Sequence, residues 1–220
     1  MSTALVVIGG GALSTRALQA MEEVAEGAFV IAADSGLDHA VAAGLRPHVL
    51  VGDLDSISAA GRMWAYAHEC EIDEHPMDKD ATDTELALAR AVAVPEVTDL
   101  LVLGGVDDGG EQRLDHLLGT LLSLGHAGLA ALDGVRAVLG DTELRVLHPG
   151  RRTFFDDPGR QFSLLALHGG CSGVTVTGAR WPLTDATLAG TEARGVSNEA
   201  HGTEGTSITV GTGVLTVVLP

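Results

Sequence analysis

The chain has 220 residues, 45% of them hydrophobic, and carries 13 basic against 30 acidic side chains for a formal net charge of −17. That length holds one large or two small domains with an ample core, and that charge excludes nucleic acid and anionic membrane as electrostatic partners. Cys70 and Cys171 are too few for a disulfide framework or a zinc cluster, and neither a basic leader nor an apolar run of membrane-spanning length is present, so a cytoplasmic location is expected.

Residues 4–8 (ALVVI) read as a first strand, and Gly9, Gly10 and Gly11 lead into a helical stretch over 14–24. Strand, glycine turn and helix resemble a phosphate cradle, but the spacing is not GxGxxG. No GxxxxGK[ST] occurs either, and Lys79 is the only lysine, which excludes a P-loop. A second strand at 29–33 (FVIAA) is ended by Asp34, Ser35 and Gly36, and a helix over 37–43 is stopped by Gly44.

The third strand, Val49, Leu50 and Val51, runs into Gly52, Asp53, Leu54 and Asp55. Ligands sit at the carboxyl ends of parallel strands. In extended chain, residues two apart point the same way with about 6.5 to 7 Å between Cα atoms, so Asp53 and Asp55 can share a hydrated divalent cation such as Mg²⁺. The plainer alternative is that Asp53 caps a turn and Asp55 is solvated. Asp34 occupies the same topological place one strand earlier. Ser58 caps a helix to about residue 69 with Met63, Tyr66 and Ala67 on one face.

Residues 78–85 (DKDATDTE) precede a helical pattern, and Thr82 with Glu85 forms a capping box that sets Asp83 in the first turn. Asp83 fits two roles: complementing the helix dipole, worth about 0.3 to 1 kcal/mol, or giving a third carboxylate to the cation. Lys79, among these acids, reads as local charge balance in an exposed pair, with a nucleotide contact as the alternative. A further strand at 100–103 is followed by Gly104, Gly105, an acidic glycine-rich loop with Glu111 and Gln112, and a helix opening with Arg113, Leu114, Asp115 and His116. Backbone N–H groups and Arg113 there can face phosphate, and Asp115 can orient a reacting group; the alternative is an Arg113–Asp115 pair on an ordinary capped helix.

From about residue 132 helical periodicity stops. Short β-rich runs at 143–147, 162–167, 173–177, 207–210 and 214–219 predict an antiparallel β domain of about eighty residues. The expected division is an α/β domain over 1–140, with a mostly parallel sheet flanked by helices, and a β domain over 141–220. Trp181 and the polar run 194–199 (RGVSNE), which reads as a loop, stand out in the second.

The ordered set GDLDS, TD before a helix, GG with R-x-DH, then WPL and SNE resembles the thiamine pyrophosphokinase (thiamin diphosphokinase) family over residues 34–219. The resemblance implies a carboxyl-terminal antiparallel β-sandwich, a homodimer with shared active sites, and Mg²⁺-dependent transfer of pyrophosphate from ATP to the hydroxyethyl group of thiamine. By match to the motifs, Asp53, Asp55 and Asp83 serve the metal and catalysis together with Asp115. Asp34, Gly104, Gly105, Arg113 and His116 line the nucleotide site. Trp181, Ser197 and Asn198 contact thiamine across the dimer interface. Here Glu111 and Gln112 stand where the family has glycines directly before the arginine, and DSGLDH replaces a motif with a second glycine and an asparagine.

The same chemistry is open to a pyrophosphokinase acting on a hydroxymethylpterin, and a nucleotide- or thiamine-binding regulator without catalysis is the alternative from another class. WPL and SNE favour thiamine. Three carboxylates favour catalysis over binding alone.

Overall fold

A computed structural model of the chain describes residues 2–106, 113–202 and 204–220. The loop positions Glu111 and Gln112 therefore lie outside the described residues. Two compact units are present: one formed by Met1–Ser123 with Ala137–Asp141, the other by Leu124–Arg136 with Thr142–Pro220.

The first unit is a sheet flanked by helices. Its strands are β1 (Ser2–Val7), β2 (Phe29–Ala33), β3 (Val49–Gly52), β4 (Glu71–Glu74), β5 (Val97–Gly104) and the last residues of β6 (Gly134–Leu139), in the order β6-β5-β1-β2-β3-β4. Pairings β1–β2, β1–β5, β2–β3 and β3–β4 are parallel. The apolar runs that announce these strands are buried on both faces, as parallel sheets require: Ala4, Leu5, Val6, Val7, Ile31, Ala32, Val49, Val51, Val102 and Leu103 are sealed from water.

Helices α1 (Thr15–Glu22), α2 (Gly36–Ala42), α3 (Ala59–Ala67), α4 (Asp83–Val92) and α5 (Leu114–Ser123) follow the strands. Ser14 caps α1 by accepting from Ala17 N at 3.1 Å, and Ala17, Ala20 and Met21 turn its apolar side onto Leu5, Val7, Leu101 and Leu103. The capping box at Thr82 is formed: Thr82 Oγ1 accepts from Glu85 N at 3.2 Å and Glu85 Oε2 accepts from Thr82 N at 2.8 Å. On α3 the pattern runs against expectation. Met63 and Tyr66 are 72% and 68% exposed, while the small Gly61 and Ala65 make the contact side. A helix whose packed face is glycine and alanine sits close to its neighbour; Trp64 packs against the core beside them, while Met63 and Tyr66 are left on the outer face.

The second unit is a β-sandwich. One layer holds β7 (Thr142–Leu147), β9 (Gln161–Leu165), β12 (Gly195–Glu199) and β14 (Leu215–Leu219) in the order β12-β9-β14-β7, with β6 beside β7. The other holds β8 (Arg152–Phe155), β10 (Cys171–Thr177), β11 (Leu183–Leu188) and β13 (Thr206–Thr209) in the order β11-β10-β13-β8. The pairings β7–β14, β9–β14, β9–β12, β10–β11, β10–β13 and β8–β13 are antiparallel. Alternate residues of the two layers interdigitate: Phe162, Leu164, Leu215 and Val217 meet Val174, Val176, Leu188 and Ile208. The run RGVSNE, expected as a loop, supplies strand β12.

Candidate active site

The four parallel pairings of the first unit put the carboxyl ends of β1, β2, β3 and β5 at one edge of the sheet, and β2 and β3 change direction there on residues with left-handed backbone. Asp34 follows β2 at φ 46°, Gly52 closes β3 at φ 144°, and Leu54 stands at φ 63°. After β1 and β5 the glycine loops touch: a Cβ on Gly105 would lie 2.0 Å from Gly10 O, and one on Gly10 would lie 2.7 Å from Gly105 O. Neither loop can carry a side chain at that crossing. Together they frame a cleft of about 690 Å³, lined among others by Gly10, Asp34, Lys79, Asp83, Gly105 and Arg113.

Three carboxylates converge at this edge. Asp34, Asp53 and Asp83 each offer an oxygen, and the three oxygens lie within 4.8 Å of one another. Asp34 arrives from the end of β2, Asp53 from the end of β3, and Asp83 from the capped amino terminus of α4. Gly52 makes the convergence possible, because a Cβ there would lie 3.0 Å from Asp83 Oδ1 and 3.2 Å from Asp34 Cβ. Asp34 Oδ2 accepts from the Ser56 hydroxyl, but Asp34 Oδ1 and Asp83 Oδ1 are buried without a hydrogen-bond partner among the described residues. A buried oxygen left unmet, as Asp34 Oδ1 is, costs about 1 to 3 kcal/mol, more when charged. A divalent cation meets it, so the residues present fit one.

The expected partnership of Asp53 with Asp55 is not what converges. Left-handed backbone at Leu54 breaks the extended geometry on which the pairing rested, and Asp55 is exposed outside the trio, its N–H donating to Asp53 Oδ1 at 3.4 Å. Asp34 takes the third place. Burial pushes the Asp34 carboxyl above its ordinary value, only partly opposed by the Ser56 hydroxyl and reinforced by the charges of Asp83, Asp55 and Asp53.

Lys79 was expected in an exposed pair; instead its side chain is only 14% exposed and its Nζ lies between two members of the trio. It donates to Asp53 Oδ2 at 3.0 Å and stands 3.1 Å from Asp83 Oδ1, an ion pair without hydrogen-bond alignment. The Lys79 hydrogen bond holds Asp53 below the usual carboxylate range, against the opposing effect of burial. For Lys79 itself burial works against the charge, and Asp53 and Asp83 outweigh it, so its pKa is raised.

Arg113, Asp115 and His116 line the same cleft. Arg113 grips Asp115 with two hydrogen bonds, Nε to Oδ1 at 3.0 Å and Nη2 to Oδ2 at 2.8 Å, and Nη2 stands 2.7 Å from His116 Nε2. That grip brings Asp115 down to about 2. Gly104 ends β5 at the rim.

The second unit gathers the remaining candidates. Trp181 is 53% exposed, with the Arg180 guanidinium 4.8 Å from its ring centroid and Arg180 Nη1 3.5 Å from Glu199 Oε2. Asn198 is buried, and its amide is bonded to the Trp181 backbone. Ser197 is exposed at φ 62°, its N–H donating to Ser163 Oγ at 3.1 Å.

Residues 20–132, more than half of the chain, match the family model for the thiamin pyrophosphokinase catalytic domain. The chain belongs to the thiamin pyrophosphokinase family. Residues 153–215 match the thiamin pyrophosphokinase vitamin B1 binding domain as well, so the two family domains fall on the two units that carry the acidic trio and Trp181. The chain is similar to the thiamine pyrophosphokinase of Bacillus subtilis (strain 168), 25% identical over 177 residues that make up 80% of each chain. Crystal structures of the family share the fold. That from Bacillus subtilis has a TM-score of 0.78 at 23% identity and covers 100% of this chain and 98% of its own. That from Geobacillus thermodenitrificans has a TM-score of 0.74 at 25% identity, covering 100% and 97%. The yeast structure has 0.71 at 14%, covering 99% and 86%.

One contributor has no role in the sequence pattern: Ser56, which bonds Asp34, sits in the GDLDS run without a signal of its own. Asp34, whose place at the end of the neighbouring parallel strand is legible in the sequence, is expected at the nucleotide and here stands with Asp53 and Asp83.

Proposed function

We propose that this chain transfers the pyrophosphoryl group of ATP to the hydroxyethyl oxygen of thiamine, giving thiamine diphosphate and AMP, with Mg²⁺ held at the acidic trio. One observation carries the reading beyond family membership: Asp34, Asp53 and Asp83 bring three carboxylate oxygens within 4.8 Å at the sheet edge, with Asp34 Oδ1 buried without a hydrogen-bond partner among the described residues and Asp83 Oδ1 met by Lys79 Nζ at 3.1 Å. In the reaction the hydroxyethyl oxygen bonds to the β-phosphorus, the bond from that phosphorus to the α,β-bridging oxygen breaks, and AMP leaves with the bridging oxygen. The hydroxyl proton passes to a carboxylate of the cleft, Asp83 or Asp115.

Mg²⁺, when bound, neutralises charge on the phosphates. Asp34, Asp53 and Asp83 would hold it, and Asp55 would reach it only through water. The glycine loops at Gly10 and Gly105 let the triphosphate approach the backbone closely, and Arg113 exchanges its grip on Asp115 for phosphate oxygens. Trp181 offers a π-face to the cationic thiazolium or to the pyrimidine, worth about 0.5 to 2 kcal/mol depending on desolvation. Ser197 faces the same ring system.

Within this reading the working form is a homodimer in which Trp181 serves the partner's acidic trio. Mixing Asp53→Asn and Trp181→Ala chains under subunit exchange then restores about one wild-type site per mixed dimer, half the activity of a wild-type dimer, since one composite site carries both lesions and the other neither. No recovery in a verified mixed dimer overturns the sharing. A cytoplasmic setting belongs to the same proposal, consistent with two unbridged buried thiols, Cys70 being pushed by burial to about 11.

The deciding experiment is incubation of the purified chain with ATP and Mg²⁺ plus thiamine or a hydroxymethylpterin. AMP appearing with thiamine alone supports the assignment. AMP with the pterin alone, or with neither, overturns it.

A further inference from the structure

Lys79 is the only lysine among 220 residues of an acidic chain, and it stands between Asp53 and Asp83. Its loop turns tightly, Lys79 N donating to Met77 O at 3.2 Å, and sends the side chain inward to contact Asp53 and Asp83. Three carboxylates within 4.8 Å repel one another strongly where water is scarce, and the ammonium is what offsets that repulsion in the ligand-free chain. Balancing surface charge would not require a side chain held at 14% exposure on two carboxylates.

The same position creates a competition. The oxygens that Lys79 engages on Asp53 and Asp83 belong to carboxylates that would hold the divalent ion. An ion entering alone must displace the ammonium or share the trio with it at close range, which costs Coulomb energy either way. Lys79 also lines the cleft that would receive the triphosphate. Its four-carbon stem lets Nζ leave the carboxylates without backbone movement, and the displaced charge then meets phosphate oxygens.

We propose that Lys79 is a resident counter-cation that makes divalent-ion binding at Asp34, Asp53 and Asp83 conditional on the polyphosphate, so that ion and nucleotide bind with positive coupling. The inference rests on the metal and nucleotide assignment made above. Coupling of this kind is reciprocal: whatever factor the nucleotide adds to ion affinity, the ion adds to nucleotide affinity.

The test uses Mn²⁺ as the probe, titrated by electron paramagnetic resonance against the full chain, with and without the non-hydrolysable α,β-methylene analogue of ATP. In the wild type the analogue tightens Mn²⁺ binding by about tenfold or more, within the usual range of coupling between sites. Lys79→Met removes the charge at similar length; it binds Mn²⁺ alone about tenfold tighter than wild type, and the coupling shrinks to about threefold or less. Lys79→Arg keeps a cation and keeps the weak binding of Mn²⁺ alone, which separates loss of charge from loss of fold. Thermal unfolding in chelator, where Lys79→Met melts lower than wild type, reads the holding role without any metal. Mn²⁺ binding alone that is equal or weaker in Lys79→Met, with wild type binding normally, overturns the proposal while leaving the metal assignment standing. Mn²⁺ titrations that Asp53→Asn leaves unchanged overturn the metal assignment itself, and the proposal with it.

Discussion

The side chain of Asn198 holds both backbone polar groups of Trp181: Nδ2 donates to Trp181 O at 2.8 Å, and Oδ1 accepts from Trp181 N at 3.2 Å. Oδ1 also accepts from Glu199 N at 2.8 Å. The amide thereby extends a ladder begun by Arg180 N to Glu199 O at 2.8 Å and the bridge between Ala179 and Ala200. With its amide engaged in this way, Asn198 places Trp181, and under the proposed function it would act on a bound ring through that placement. Asn198→Ala should raise the KM for thiamine about tenfold with kcat changed less than about threefold, the loss of one or two buried hydrogen bonds being worth about 1 to 3 kcal/mol. In a Trp64→Phe background the remaining indole emission should shift to the red as Trp181 loosens. An unchanged spectrum with a raised KM would return Asn198 to direct contact.

Arg180 lies over the Trp181 ring, 4.8 Å from its centroid, and pairs with Glu199 at 3.5 Å. A cationic heterocycle using that face must move it aside. An exposed cation–π contact is worth about 0.5 to 1 kcal/mol, so Arg180→Ala should tighten thiamine binding about two- to fivefold, as read by quenching of Trp181 emission. Weaker binding would mean that Arg180 contributes to the ligand's site.

Asp34 and Asp55 give opposite forecasts. Asp34 supplies an oxygen to the trio and keeps Oδ1 buried and unbonded, whereas Asp55 is exposed outside it. Asp34→Asn should weaken Mn²⁺ binding in the presence of the ATP analogue by about tenfold or more, and Asp55→Asn by about threefold or less. Equal losses would restore the pair that the GDLDS run implies.

That contrast shows what a sequence carries and what it hides. Strand ends are legible because apolar runs such as FVIAA and VLV stop abruptly at Asp34 and Gly52, and a parallel topology then brings those ends to one edge. The order of strands and the turn at Leu54 are not local properties, and they exchange Asp55 for Asp34. β6 also goes unread, although Val135, Ala137, Val138 and Leu139 are buried in the sheet interior, because it lies where helical periodicity stops. Likewise β4, β8, β11 and β12 go unread. In their units these four are edge strands, with one buried residue or none: EIDE has none, and GVSNE has Asn198 alone. Such strands lack the apolar alternation that marks a sheet interior, as edges exposed to water generally do. Lys79 was misjudged for a related reason. Its acidic neighbours in sequence describe a solvated run, while Asp53, 26 residues away, is its hydrogen-bonded partner.

Glu143 offers a test of stability against pH, apart from the proposed chemistry. Its side chain is 8% exposed and engages three arginines: Arg145 Nε at 2.8 Å, Arg160 Nη2 at 3.3 Å and Arg136 Nε at 3.5 Å. Burial works to raise its pKa, but Arg145 first, then Arg136 and Arg160, outweigh burial and hold it below the ordinary glutamate value. The folded value thus lies below the unfolded one of about 4.3, and between the two the unfolded chain binds more protons. The stabilisation is complete above the unfolded value and is lost as pH falls through the folded one. Glu143→Gln keeps the shape, removes the charge and leaves Arg136, Arg145 and Arg160 to crowd one another. It should cost about 3 kcal/mol at pH 7, the scale of breaking a buried pair. Urea unfolding at a series of pH values should show that gap intact from pH 7 to about 5 and narrowing steadily toward pH 3. The other carboxylates are common to both chains, so the difference between the two curves isolates Glu143. A gap that stays constant down to pH 3 would mean the carboxylate is held by shape and hydrogen bonds and that its charge contributes nothing.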